Sequence, residues 1–115
     1  MSYGRLAGQD IRSFSGMRGT ELDLGVAWTL YILLSAEGDS TYVGISTNVE
    51  RRLRAHNGEI AGGAKRTRAG RPWRLGAVVG PYPNRATAQT AEYEAKQLRG
   101  QERIDWANDQ ASHQG

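Results

Sequence analysis

Between Trp28 and Ser46 the chain reads WTLYILLSAEGDSTYVGIS, two apolar runs separated by the turn-forming set EGDS. That pattern predicts an antiparallel hairpin with strands near 28–35 and 40–46. A loop of two or four residues then places Leu30, Ile32, Leu34, Val43 and Ile45 on one face and Tyr31, Tyr42 and Gly44 on the other. The first is an ordinary core face. The second gathers two phenols beside a glycine, which leaves space for something to approach. Tyrosines are also common packing residues of strands, so the hairpin alone does not assign them a role.

The next segment, STNVERRLRAHNG, predicts a helix of about ten residues, with Thr47 and Glu50 as a capping box and Gly58 just past its end. Val49 and Leu53 form its inward stripe. Arg52 and His56 fall beside that stripe, four apart on one face. A guanidinium and an imidazole turned toward a sheet need partners to offset their desolvation, and a phosphate or a backbone carbonyl would serve. After a glycine pair comes a basic loop with Lys65, Arg66, Arg68, Arg71 and Arg74. The apolar run from Leu75 to Val79 then predicts a third strand.

A second helix is expected in NRATAQTAEYEAKQLRG, capped by Asn84 and stopped at Gly100, with Ala88, Ala91, Ala95 and Leu98 as its buried stripe. Glu92 lies along the buried side and Glu94 faces outward. A carboxylate there suits a cation, or an ion pair with an arginine such as Arg52. QERIDWAND predicts a short helix using Ile104 and Trp106, followed by a polar tail. Residues 1–26, with scattered glycines and charges and no sustained period, are expected to form an irregular extension.

Length bounds this picture, since 115 residues allow one small domain with a modest core. The absence of cysteine excludes disulfides and thiolate metal sites, and two histidines argue against structural zinc. Without an apolar run of spanning length or a leader-like N-terminus, a soluble cytoplasmic protein with no membrane partner is expected. The net charge of +3 is uneven. Residues 26–99 carry eleven Lys and Arg against six Asp and Glu, whereas 100–115 carry one against three. The basic middle favours a polyanionic partner.

These residues carry a resemblance. TLY ending at Tyr31 and YVG from Tyr42 to Gly44 resemble the two tripeptides of the GIY-YIG nucleases. The eleven-residue step between the tyrosines, an arginine ten residues on, a histidine four further and a glutamate in a late helix agree with that family. The likeness covers about residues 27–99, with 100–115 as a short helix and tail. RRLRAHNG and GGAKRTRAGRPW are similar to the small single-domain bacterial members and to the catalytic subunit of eukaryotic branched-DNA resolvases. Two departures stand out: Thr29 replaces the first glycine, and Ile45 stands where some members have a lysine, leaving Lys65 or His56 to tune a tyrosine.

The resemblance implies an α+β fold, a three-stranded antiparallel sheet flanked by helices. It also implies metal-dependent hydrolysis of DNA phosphodiesters, in a repair, recombination or mobile-element setting, with branched DNA as one substrate class. Tyr31, Tyr42, Arg52, His56 and Glu92 match the catalytic set. Glu92 would hold one hard divalent ion, Mg²⁺ with Mn²⁺ as a substitute, and either tyrosine is a candidate base. Lys65, Arg66, Arg68, Arg71 and Arg74 are the expected DNA contacts. A protein partner is one source of substrate selectivity, and a non-cleaving nucleic-acid-binding module is the alternative.

Overall fold

The computed structural model describes residues 27–114, so the extension expected over 1–26 lies outside the described residues. Strands β1 (Trp28–Leu34) and β2 (Thr41–Ser46) form the hairpin. Helix α1 (Val49–His56), a 3-10 turn (Lys65–Arg68), strand β3 (Arg74–Tyr82), and helices α2 (Arg85–Lys96) and α3 (Gln101–Gln114) follow. The sheet order is β2-β1-β3, and β1 pairs antiparallel with both neighbours.

Register follows the alternation of apolar residues. Leu30 faces Ile45, Tyr31 faces Gly44 and Ile32 faces Val43. Pairing in any other parity would turn the apolar set to the wrong face. Leu30, Ile32, Val43 and Val79 accordingly pack with Ala91 and Ala95 of α2 and Ile104 and Ala107 of α3. The small alanines bring α2 close to the sheet. On the opposite face Tyr31, Leu33 and Trp73 pack with Tyr42, Val49 and Leu53, so α1 and the loop before β3 cover that side.

Asn84 caps α2 as expected, accepting the Thr87 N–H. The cap of α1 is Asn48 rather than Thr47. Its side chain accepts the Arg51 N–H, and its own N–H donates to Ser46 Oγ, which carries the chain directly from strand to cap. The helix is eight residues long rather than about ten. Its C-cap Asn57 is engaged instead with the distant backbone of Trp73, and Gly58 turns the chain at φ 81°.

The C-terminal helix is longer than the expected short segment, running fourteen residues. Ile104 and Ala107 bury its inner side, and the Arg103 guanidinium donates to the Leu98 carbonyl at 2.7 Å and to Thr41 Oγ1 at 2.9 Å. That clamp joins α3 to the hairpin across the chain. Among the described residues no helix is long and apolar enough to cross a membrane.

Candidate active site

Strands β1 and β2 and helix α1 bring three aromatic rings together. The Tyr31 hydroxyl lies 2.9 Å from His56 Nε2. The Tyr42 ring sits against the same imidazole, with centroids 4.7 Å apart, and the two phenol rings are 6.5 Å apart. Tyr31 and His56 are buried, whereas Tyr42 is half-buried. Gly44 does leave space beside them, but the occupant is Tyr31 itself. A Cβ on residue 44 would lie 2.5 Å from Tyr31 Cζ, so the expected opening for a ligand is filled by the phenol.

His56 is held from the opposite side by the loop before β3. Its Nδ1 lies 3.0 Å from Thr67 Oγ1, and Arg71 Nε donates to the His56 carbonyl at 2.8 Å. Gly63 lets this loop seat on the end of α1, where a Cβ would collide with the Ala55 carbonyl. Burial, and then the charges of Arg52 and Arg71, lower the His56 pKa to about 4. The imidazole is therefore neutral at physiological pH.

Arg52 reaches across from the first turn of α1 and donates to the Gly62 carbonyl at 2.8 Å. Burial raises the pKa of Tyr31, the hydrogen-bonding Arg52 guanidinium opposes this, and the charge of Glu92 adds to the rise. The phenol is neutral in the resting protein. Glu92 is half-buried and pairs with Lys96 at 3.2 Å on its own helix, so the Arg52–Glu92 ion pair considered from the sequence is replaced by two separate contacts.

The five basic residues, four on the loop and Arg74 opening β3, divide into two groups. Arg66 donates to the Thr41 carbonyl at 3.3 Å, Arg71 to that of His56, and Arg74 to that of Ser35 at 3.3 Å. These guanidiniums help hold the loop on the hairpin and on α1. Lys65 and Arg68 stand exposed on the 3-10 turn.

The family model for the GIY-YIG catalytic domain matches residues 27–105, from the first strand into α3. The chain belongs to the GIY-YIG family. It is 52% identical over 64 residues to a structure-specific endonuclease subunit SLX1 homolog of Cryptosporidium parvum, covering 55% of this chain and 16% of that protein. Identity to the structure-specific endonuclease subunit slx1 of Schizosaccharomyces pombe is 39% over 80 residues, 67% of this chain and 30% of the other. A UPF0213 protein of Xanthomonas campestris is 42% identical over 86 residues, with 74% and 79% covered. The chain thus spans less than a third of the SLX1 relatives' length but most of the bacterial one.

Within this GIY-YIG domain Tyr31, Tyr42 and His56 are joined by direct contact, with Arg52 acting on Tyr31 and His56 and Glu92 acting on Tyr31 electrostatically. The matched family model is that of a catalytic domain, and all of these residues fall inside it. GIY-YIG nucleases are in general metal-dependent. Among the described residues no group of three or more His, Cys, Asp and Glu forms a multidentate cage. Glu92 offers a carboxylate close enough to act on Tyr31, and its partner Lys96 is half exposed, so the pair between them is a weak surface one. One carboxylate of this kind fits a divalent cation that keeps most of its water.

Sequence reading missed Thr67, Asn57 and Trp73. Thr67 is fully buried in the middle of the otherwise exposed KRTR turn. The Asn57 amide donates to the Trp73 carbonyl and accepts its N–H, while Trp73 Nε1 donates to the Thr67 carbonyl. The one signal was a lone small hydroxyl residue inside a basic run, which by itself reads as solvated loop.

Proposed function

We propose that the protein is a Mg²⁺-dependent DNA endonuclease that selects its substrate by DNA shape, branched DNA being the class to which the SLX1-like sequence points, with a protein partner contributing selectivity. The observation that carries this reading is the Tyr31–His56 hydrogen bond, buried beneath Tyr42 and flanked by Arg52.

Phosphodiester hydrolysis requires neutralisation of charge developing on phosphate and removal of a proton from the attacking water. Arg52 is the donor for a non-bridging phosphate oxygen. Tyr31 accepts the water's proton as its own passes to His56 Nε2, so a free phenolate is never needed. The relay improves when substrate arrives, because burial and two positive charges hold His56 unprotonated, and a phosphate on Arg52 cancels one of those charges. A Mg²⁺ held by Glu92 would supply further charge stabilisation at the phosphate and the leaving oxygen. Lys65, Arg66, Arg68, Arg71 and Arg74 line the basic segment, where phosphates bind without sequence preference.

The test is cleavage of labelled duplex, flap, junction and single-stranded DNA by the wild type and Glu92→Ala, with Mg²⁺, Mn²⁺ or EDTA, on denaturing gels. Wild-type cleavage that prefers branched substrates and disappears with EDTA or Glu92→Ala is expected. Binding without cleavage in every condition would replace this reading by a non-cleaving nucleic-acid-binding module.

A further inference from the structure

Thr67 is a fully buried side chain whose only hydroxyl hydrogen has a fixed destination. Its Oγ1 lies 2.7 Å from the Ala64 carbonyl oxygen and 3.0 Å from His56 Nδ1. Two oxygens at 2.7 Å need a hydrogen between them, and the carbonyl has none to give. The hydroxyl therefore donates to Ala64, and toward His56 it can only accept. Nδ1 must carry the imidazole hydrogen. In a neutral ring that leaves Nε2 with a bare lone pair, and the Tyr31 O–H, 2.9 Å away, donates into it.

The opposite arrangement is disfavoured on the same geometry. It would turn the Thr67 hydrogen to Nδ1, place two acceptors at 2.7 Å, and leave the Tyr31 oxygen as an acceptor of Nε2–H. The Ala64 N–H lies 3.5 Å from Nδ1, at the limit of hydrogen bonding, and does not outweigh the shorter contact. The Thr67 backbone is itself fixed: its N–H donates to the Ala64 carbonyl at 3.0 Å, and its carbonyl accepts Trp73 Nε1 at 2.8 Å.

We propose that Thr67 is a positioning residue that sets the His56 tautomer, locking hydrogen on Nδ1 so that Nε2 is the proton acceptor for Tyr31. It touches neither substrate nor phosphate and acts through the imidazole. Its carboxylate-free design fits a relay in which the histidine must stay neutral until substrate binds: a hydroxyl orients the ring without the anionic partner that would favour imidazolium. The catalytic half of this inference rests on the nuclease reading, whereas the tautomer does not.

The experiment separates the two. In ¹⁵N-labelled full-length protein at pH 7, only two histidines contribute ring signals, and His113→Gln leaves His56 alone. Wild-type His56 is expected to show a protonated Nδ1 and a bare Nε2. Thr67→Val keeps the shape but removes the oxygen, so the ring should switch to hydrogen on Nε2, with Nδ1 turned to the Ala64 N–H. Thr67→Ser should restore the wild-type pattern. Single-turnover DNA cleavage should fall roughly 100-fold in Thr67→Val, with unchanged DNA affinity, and recover in Thr67→Ser. A wild-type ring with hydrogen on Nε2, or an unchanged pattern in folded Thr67→Val, overturns the proposal. Should Thr67→Val not fold, the wild-type and Thr67→Ser spectra decide it. The expected tautomer without cleavage by the wild type would overturn the nuclease reading and leave the tautomer assignment standing.

Discussion

Tyr31 and Gly44 face each other across the β1–β2 pair, and the phenol ring lies over the glycine, in the volume that a side chain there would need. The missing Cβ is thus what lets the Tyr31 hydroxyl reach His56. Replacing Gly44 with alanine forces the ring aside and overpacks a buried site, at about 1–3 kcal/mol. Gly44→Ala should lose that much stability in urea denaturation and lose cleavage more completely than stability explains. Full activity in the variant would show that the ring relocates freely.

The pH dependence of stability isolates His56. The unfolded chain binds a proton near pH 6.5, while the folded protein refuses it down to about 4. Stabilisation from the neutral imidazole is therefore complete above about pH 6.5, falls as pH drops through this window, and levels off below 4. The loss amounts to about 3 kcal/mol. Carboxylates titrate in the same range, so the useful quantity is the difference between the wild type and His56→Gln. That difference should shrink on acidification from pH 7 to pH 4, and a constant difference would mean that the ring titrates as a solvated histidine.

How far the sequence foretold this arrangement depends on the range of each interaction. The hairpin register was legible because one-residue slips would invert every side chain from Leu30 to Ile45. The shared face of Tyr31 and Tyr42 followed from that register, and the helix period set His56 beside the inward stripe of α1, but joining the three came from the resemblance to the family. The loop was not legible in the same way. Nothing in the spacing of Arg66, Arg71 and Arg74 tells which distant carbonyls lie within reach, and Thr67 becomes a partner of His56 only after Asn57 and Trp73 fold the loop back. The α1 cap was displaced by one because Thr47 and Asn48 are both good caps, and the Ser46 hydroxyl chooses between them.

The two tyrosines should separate in mutagenesis. Tyr31→Phe removes the group that gives its hydrogen to His56 and leaves a buried Nε2 unpaired, at about 1–3 kcal/mol of stability. As the proton acceptor it should also lower the single-turnover rate roughly 10²–10⁴-fold. Tyr42→Phe retains the ring against His56 and should leave stability within about 0.5 kcal/mol. Equal rate losses in the two variants would remove the distinction between them.

Arg68 and Arg71 lie three residues apart in the basic loop and should behave differently. Arg71 Nε donates to the carbonyl of His56, and its guanidinium packs where Gly58 has no side chain, so Arg71→Ala removes a contact of the folded state. A destabilisation of about 1–2 kcal/mol is expected. Arg68 is exposed on the 3-10 turn, and Arg68→Ala should change stability by less than about 0.5 kcal/mol. If Arg68 neutralises one phosphate, the slope of log affinity against log salt for duplex DNA should become shallower by about 0.9 in that variant. Salt titrations with uncleavable DNA in EDTA, beside urea melts of both variants, give the two quantities independently. An unchanged slope for Arg68→Ala would mean that DNA follows a path away from the 3-10 turn.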